Sequence, residues 1–181
     1  GEVGAVQPWR AIAGATRAKG VPLHVDAVGV LGRLPITVEA DGIDLLTAGA
    51  NDLYGPPGVG ALWIRPGLNL APQLAGGGQE RGLRSGTLPV HQIVGLGAAC
   101  EIAAVEGREE SVRLTALRER LWQALQAIPG ALLNGHPTER LAGTLDEPVP
   151  AQVRALILDQ AEAPRRWLQA AVAADEAARQ G

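Results

Sequence analysis

Three short apolar runs set the tightest limit on what this chain can fold into. Val21–Val25 ends at Asp26, Ile43–Thr47 follows, and Gly60–Ile64 (GALWI) is closed by Arg65-Pro66-Gly67. Runs this brief, with no polar alternation, suit strands covered on both faces. The segments around them read as helices. Pro8 to Ala18 places Trp9, Ile12, Ala13 and Thr16 on one side, with Gly20 as a stop. Pro89 suits the first position of a helix running to about Glu106 and ending at Gly107. A second helix is expected over 109–128, with Leu114, Leu117, Leu121, Leu125 and Ile128 as its apolar stripe and Pro129-Gly130 as its stop. Ala131 to Leu133 reads as an edge strand. Two alanine-rich stretches, 151–158 and 165–179, read as helical and are split at Pro164. Strands alternating with helices imply an α/β fold with a parallel or mixed sheet. No internal repeat is visible.

Composition narrows the function classes. The 181 residues carry a formal charge of −3 and no basic block or stripe, which argues against nucleic acid as a partner. Every apolar stretch is interrupted well short of a membrane span. Cys100, the single cysteine, has no internal disulfide partner, and no leader pattern opens the chain, so the expected setting is cytoplasmic. No His/Cys/Asp cluster has zinc spacing, and no metal is expected. The string around Gly14 lacks a P-loop ending and lies within a helix. There is no methionine, which leaves open a fragment, a processed chain or a trimmed one.

Asp26 stands at the carboxyl end of a strand, the edge at which open α/β sheets bind ligands. An aspartate there either pairs with a protonated ring nitrogen or caps the next turn. His24 precedes it by two and shares its strand face, as an orienting partner or a packed histidine. His91 opens a helix and His136 sits in a turn (NGHP), and neither suggests chemistry. The segment LYGPPGVG, 53–60, is a rigid turn and reads as a plain strand connection. The glycine-rich string GGGQERGLRSGT, 76–87, is either a solvated surface loop or an anion site, with Arg81, Arg84 and Thr87 as donors. Cys100, inside an alanine-rich helix, reads as a small buried hydrophobe.

The order of these pieces carries a resemblance. GEVGAVQ, HVDAVGVLGRLPI, DGIDLLTAGANDLYGPPGVGALWI, GGGQERGLRSGTLPVHQIVGLGAA and LRERLWQAL with LLNG beyond it closely resemble, over about residues 1–145, the cysteine desulfurases. These are pyridoxal-phosphate enzymes of the class V aminotransferase group. The resemblance implies homodimers with a three-layer α/β/α large domain and a smaller C-terminal domain. This chain would be the C-terminal half of a PLP-transferase large domain, residues 1–107, plus the start of a small α+β domain, 108–181. Its part before GEVGAVQ, with the family's ring-stacking histidine, would be missing.

The resemblance also implies roles, and the sequence departs from several. Asp26 falls at the aspartate that pairs with the pyridine nitrogen. Thr87 falls at the threonine that reaches the neighbouring subunit's phosphate. Gly29 replaces a glutamine near the cofactor's phenolic oxygen, and Gln79 replaces the histidine of GGGHERG. Where the family reads Ser-Gly-His-Lys, this chain reads Gly49-Ala50-Asn51-Asp52, so Asn51 takes the phosphate-binding histidine's place and Asp52 that of the Schiff-base lysine. An internal aldimine needs a primary amine, which a carboxylate cannot supply. A carboxylate also repels phosphate, by on the order of 4 kcal/mol for unit charges ~4 Å apart at an effective dielectric near 20. Lys19, the single lysine, lies at a helix end. The loop bearing the family's sulfur-carrying cysteine has no counterpart after Leu145.

The expected function is therefore a cysteine desulfurase-like protein without catalysis, inherited cofactor positions at Asp26, Thr87 and Asn51, and no bound cofactor. Pairing with itself or with a desulfurase-like chain through the inherited dimer surface is the alternative. Altered acid–base chemistry at Asp26 and Asp52, and a gene relic without a role, rank below these.

Overall fold

The computed structural model describes residues 3–146. The helical stretches expected at 151–158 and 165–179 lie outside the described residues. The first helix, α1, is Trp9–Arg17, followed by strands β1, His24–Asp26, β2, Leu45–Gly49, and β3, Gly60–Ile64. A 36-residue helix, α2, occupies Val90–Leu125.

The sheet is mixed, in the order β1-β2-β3. The β1–β2 pair is parallel, with Asp26 opposite Thr47, and β2–β3 is antiparallel, with Gly49 opposite Gly60. Both strands read as starting at 21 and 43 start later. Pro22 has no N–H for a ladder, and the Val21 N–H is already spent on the Thr16 carbonyl at 3.0 Å, closing α1. Leu23 then receives the N–H groups of both Asp44 and Leu45, and the ladder begins only beyond them. Among the described residues, the strands are also not covered on both faces. Leu46 and Ala48 are buried on one face of β2, while on the other Leu62 is 47% exposed and His24 is open to solvent.

Two core clusters result. Ala27, Ile43, Leu46 and Ala48 pack with Trp9, Val25, Ile36 and Trp63. Ala50, Leu53, Leu96 and Ala99 pack α2 against the turn after β2. Leu31 touches both clusters and joins the sheet to α2.

The break expected at Gly107 is absent, and α2 runs through it. Gly107 is instead where the helix backbone meets the loop after β1, because a β-carbon there would fall within the contact radius of the Gly32 carbonyl oxygen. A β-carbon on Gly32 would in turn lie 2.8 Å from that of Ala103. Pro89 caps α2 and Val90 is its first residue. The edge strand expected at 131–133 does not form. Leu132 is 65% exposed, and pairing in this region is confined to the Asn134 N–H on the Asp146 carbonyl and a single bridge between Ala5 and Arg140.

Asp41 ties α1 to the loop after β1. It is 6% exposed, accepts the Thr37 N–H at 3.0 Å, and accepts the Arg10 Nε–H at 2.6 Å. Burial alone would raise its pKa, but the Thr37 N–H and the Arg10 guanidinium outweigh it and hold the carboxyl below its ordinary value. A depressed folded value means the stabilisation is complete above the unfolded carboxyl's pKa, near 3.9, and disappears as pH falls through the folded one. Asp41→Asn is expected to cost about 1–3 kcal/mol at neutral pH. It should also lose less melting temperature than wild type between neutral pH and pH ~3 in circular-dichroism melts. Equal acid-induced losses would contradict this assignment.

Candidate functional site

Because β1 and β2 are parallel, both end at the same sheet edge, and the turns that leave them touch. A β-carbon on Gly49 would lie 3.4 Å from Val28 Cγ1, and one on Gly29 would lie 3.8 Å from Asp52 Cγ. Asp26, Gly29, Asn51 and Asp52 are thereby brought to one edge.

Each plays a definable local part. The Asp26 carboxylate accepts the Val28 N–H at 3.0 Å, the turn-capping role, and is solvent-exposed. His24 does not hydrogen-bond Asp26. Its Nε2 lies 2.6 Å from Thr47 Oγ1, across the β1–β2 ladder on the same face. Asn51, Asp52 and Leu53 form a single 3-10 turn, anchored by buried Leu53. Tyr54 ends it in the left-handed region at φ 59° and is 85% exposed. That backbone is costly for a residue with a β-carbon, on the order of 1 kcal/mol. The Ala50 carbonyl, which accepts the N–H groups of Leu53 and Gly55, holds it.

Asp52 is half-buried and lines, with residues of α2, a cavity of about 340 Å³. Its lining from α2 includes Ile102, Glu106 and Glu110. Glu110 is bound by both nitrogens of the Arg113 fork at 2.6 Å, which lowers its pKa. Arg33 is the one basic residue lining this cavity. A larger adjoining groove, about 900 Å³, runs between residues 31–36 and α2 and includes Cys100. Cys100 is only partly buried there, packed beside the Leu53 cluster. Among the described residues, no three His, Cys, Asp or Glu side chains converge as a metal site.

The 76–87 loop is ordered by its own bonds. The Gly86 N–H donates to Gln79 Oε1 at 2.9 Å and the Gly78 N–H to Ser85 Oγ at 3.2 Å, and Leu74 bridges Arg84. Glu80 and Arg81 both take positive φ, 50° and 58°. Arg81, Arg84 and Thr87 are exposed. Arg84 Nη1 makes a long contact of 3.4 Å with the Gly86 carbonyl. Sequence reading missed the closing role of Gln79, a pairing of side chain with backbone that has no motif. Lys19 lies in the turn before β1, at the opposite end of that strand from Asp26.

The donor set does not fit a covalently held pyridoxal phosphate. Asp26 can still face a ring nitrogen, but among the described residues no amine lies beside Gly29, where the nearest side chain is the Asp52 carboxylate.

Comparison with known proteins identifies the family and the fold. Residues 1–156 match the family Aminotransferase class-V. The chain is 47% identical over 147 residues to cysteine desulfurase IscS of Aeromonas hydrophila, covering 80% of this chain and 36% of that protein. It is 47% identical over 145 residues to cysteine desulfurase IscS 1 of Archaeoglobus fulgidus, covering 80% and 38%. The chain thus spans little more than a third of these relatives. Among solved structures, a NifS-like protein from Rickettsia africae superposes with a TM-score of 0.80 at 30% identity, over 83% of this chain and 42% of that one. DndA from Streptomyces lividans superposes with a TM-score of 0.77 at 33% identity, over 90% and 48%. The chain belongs to the class-V aminotransferase family, as a partial relative of the cysteine desulfurases with their α/β fold.

Proposed function

We propose that this chain is a cysteine desulfurase-like protein that performs no desulfuration itself. The observation that carries the reading is Asp52, a carboxylate beside Gly29 at the family's lysine position, lining a cavity together with Glu106 and Glu110. Desulfuration in this family uses a pyridoxal cofactor bound through an amine, and here that amine is replaced by an acid. Residues 1–107 represent the large-domain portion and 108–181 the small-domain portion, in a cytoplasmic protein.

With cysteine, pyridoxal phosphate and a thiol reductant, the purified chain is expected to release no more sulfide than cofactor and buffer alone. Release above that control, abolished by Asp26→Ala, would overturn the reading.

A second role is supported by the 76–87 loop. Its hydrogen bonds order it without help from the Asp26 edge, and Arg84 and Thr87 project from it into solvent. Such a loop suits a chain that pairs with a copy of itself or with a desulfurase-like chain and offers these donors in trans.

A further inference from the structure

Beside the Asp52 cavity, the groove of about 900 Å³ between residues 31–36 and α2 has a different chemistry. Ala104, Arg108, Val112 and Thr115, at spacings of four, four and three, line it as one strip of α2, whereas Ile102, Glu106 and Glu110 line the cavity as another. Among the described residues the groove has no acidic lining, and its two charges are the guanidiniums of Arg33 and Arg108. Arg33 is shared with the Asp52 cavity and Arg108 is not. Neither belongs to an ion pair among the described residues.

The rest of the lining is largely apolar, with Leu31, Leu34, Ile36 and Leu53 supplying aliphatic surface. Its two hydroxyls are turned to backbone. Ser111 Oγ donates to the Arg33 carbonyl at 3.1 Å, and Thr115 Oγ1 to the Ser111 carbonyl at 2.8 Å. The N–H groups of Arg33 and Leu34 are both spent on the Val30 carbonyl. An extended peptide laid here would find few partners for its backbone, and unmatched polar groups are costly to bury. An alkyl chain carries no such groups, and the volume is that of a small-molecule site. The charges select the end group, because a guanidinium fork matches a carboxylate or phosphate and repels an ammonium ion.

We propose that this groove binds a single-chain aliphatic anion, with its chain against the apolar lining and its head at Arg108 and Arg33. Binding there needs neither a cofactor nor any chemistry at Asp52, so the proposal is decided separately from the reading of an inert desulfurase site.

Isothermal titration calorimetry of the full chain with decanoate and with decylammonium tests this. Decanoate should bind saturably at one site. Decylammonium, with the same chain length and the opposite charge, should bind at least about tenfold more weakly. Arg108→Gln should weaken decanoate about tenfold, and Ala104→Glu at least as much, because its carboxylate joins a lining that has none. Ala104 and Arg108 are exposed, so circular dichroism should stay unchanged in both variants. Arg120→Gln removes the same charge from an exposed position of α2 outside the groove and should leave the affinity as in wild type. Decyl phosphate in place of decanoate separates a phosphate head from a carboxylate one, and binding of either that depends on Arg108 supports the site. A wild type that binds neither overturns the proposal. So does decylammonium binding as tight as that of decanoate, or an equal loss in Arg108→Gln and Arg120→Gln. Binding of an acidic helical Leu/Glu peptide that decanoate does not displace would assign the groove to a protein partner and overturn it as well.

Discussion

Borohydride reduction after incubation with pyridoxal phosphate is expected to leave the peptide around residue 52 at its unmodified mass in wild type, and to add a pyridoxyl group there in Asp52→Lys. The backbone for this gain is in place. Asp52 sits on a 3-10 turn anchored by buried Leu53, at the sheet edge that also carries Asp26. Gly29 leaves open space over which a longer side chain can lie, since even an added β-carbon there would meet the residue-52 carboxyl at an ordinary 3.8 Å. The substitution also removes one of three acids around the cavity. Lys19 provides the internal control. It lies at the other end of β1, so any labelling of it should be equal in both proteins. Adding Asp26→Ala to the Asp52→Lys chain should reduce incorporation at position 52 without touching labelling at Lys19. Incorporation into wild type that saturates, competes with phosphate and maps near the Asp26 edge would sink the reading of an inert site.

Much of this edge is legible in the sequence, and the reason lies in chain order. The run ending at Asp26 and the one expected to end at Thr47 each pass into a glycine-containing turn, and parallel pairing puts such turns side by side. Strand β3 matched residue for residue because Gly60 and Arg65-Pro66 bound it on both sides. The strand β1 did not, since Pro22 and the closing bond of α1 decide its start and neither is an apolar-pattern signal. The exposed face holding His24 and Leu62 could not be foreseen from apolar runs, which report that residues are apolar and not which neighbours cover them. Gln79 and Gly86 meet through a side chain seven residues away, a relation that no local propensity encodes.

Gly107 is the clearest misreading, and it yields the sharpest stability test. A glycine within a helical pattern costs only about 1 kcal/mol relative to alanine, so as a stop signal it is weak evidence. What retains it here is a contact with Gly32, distant in sequence. Alanine at position 107 should therefore invert the usual sign. Helix propensity favours it by about 1 kcal/mol. Its methyl group, however, would overlap the Gly32 carbonyl and force α2 away from the loop, with overpacking of about 1–3 kcal/mol or more. Gly32 cannot retreat easily, because its own surroundings are Leu53 Cδ2 at 2.9 Å and Ala103 Cβ at 2.8 Å from where a β-carbon would stand. Gly97 supplies the matched contrast on the same helix. It is exposed, and a β-carbon there would meet nothing within 4 Å, so Gly97→Ala should stabilise by about 1 kcal/mol. In urea unfolding followed by circular dichroism, the two substitutions should move the midpoint in opposite directions, with Gly107→Ala the larger shift. If both stabilise, α2 does not rest on the Gly32 loop, and the joint that holds the Asp52 cavity against the helix is misplaced.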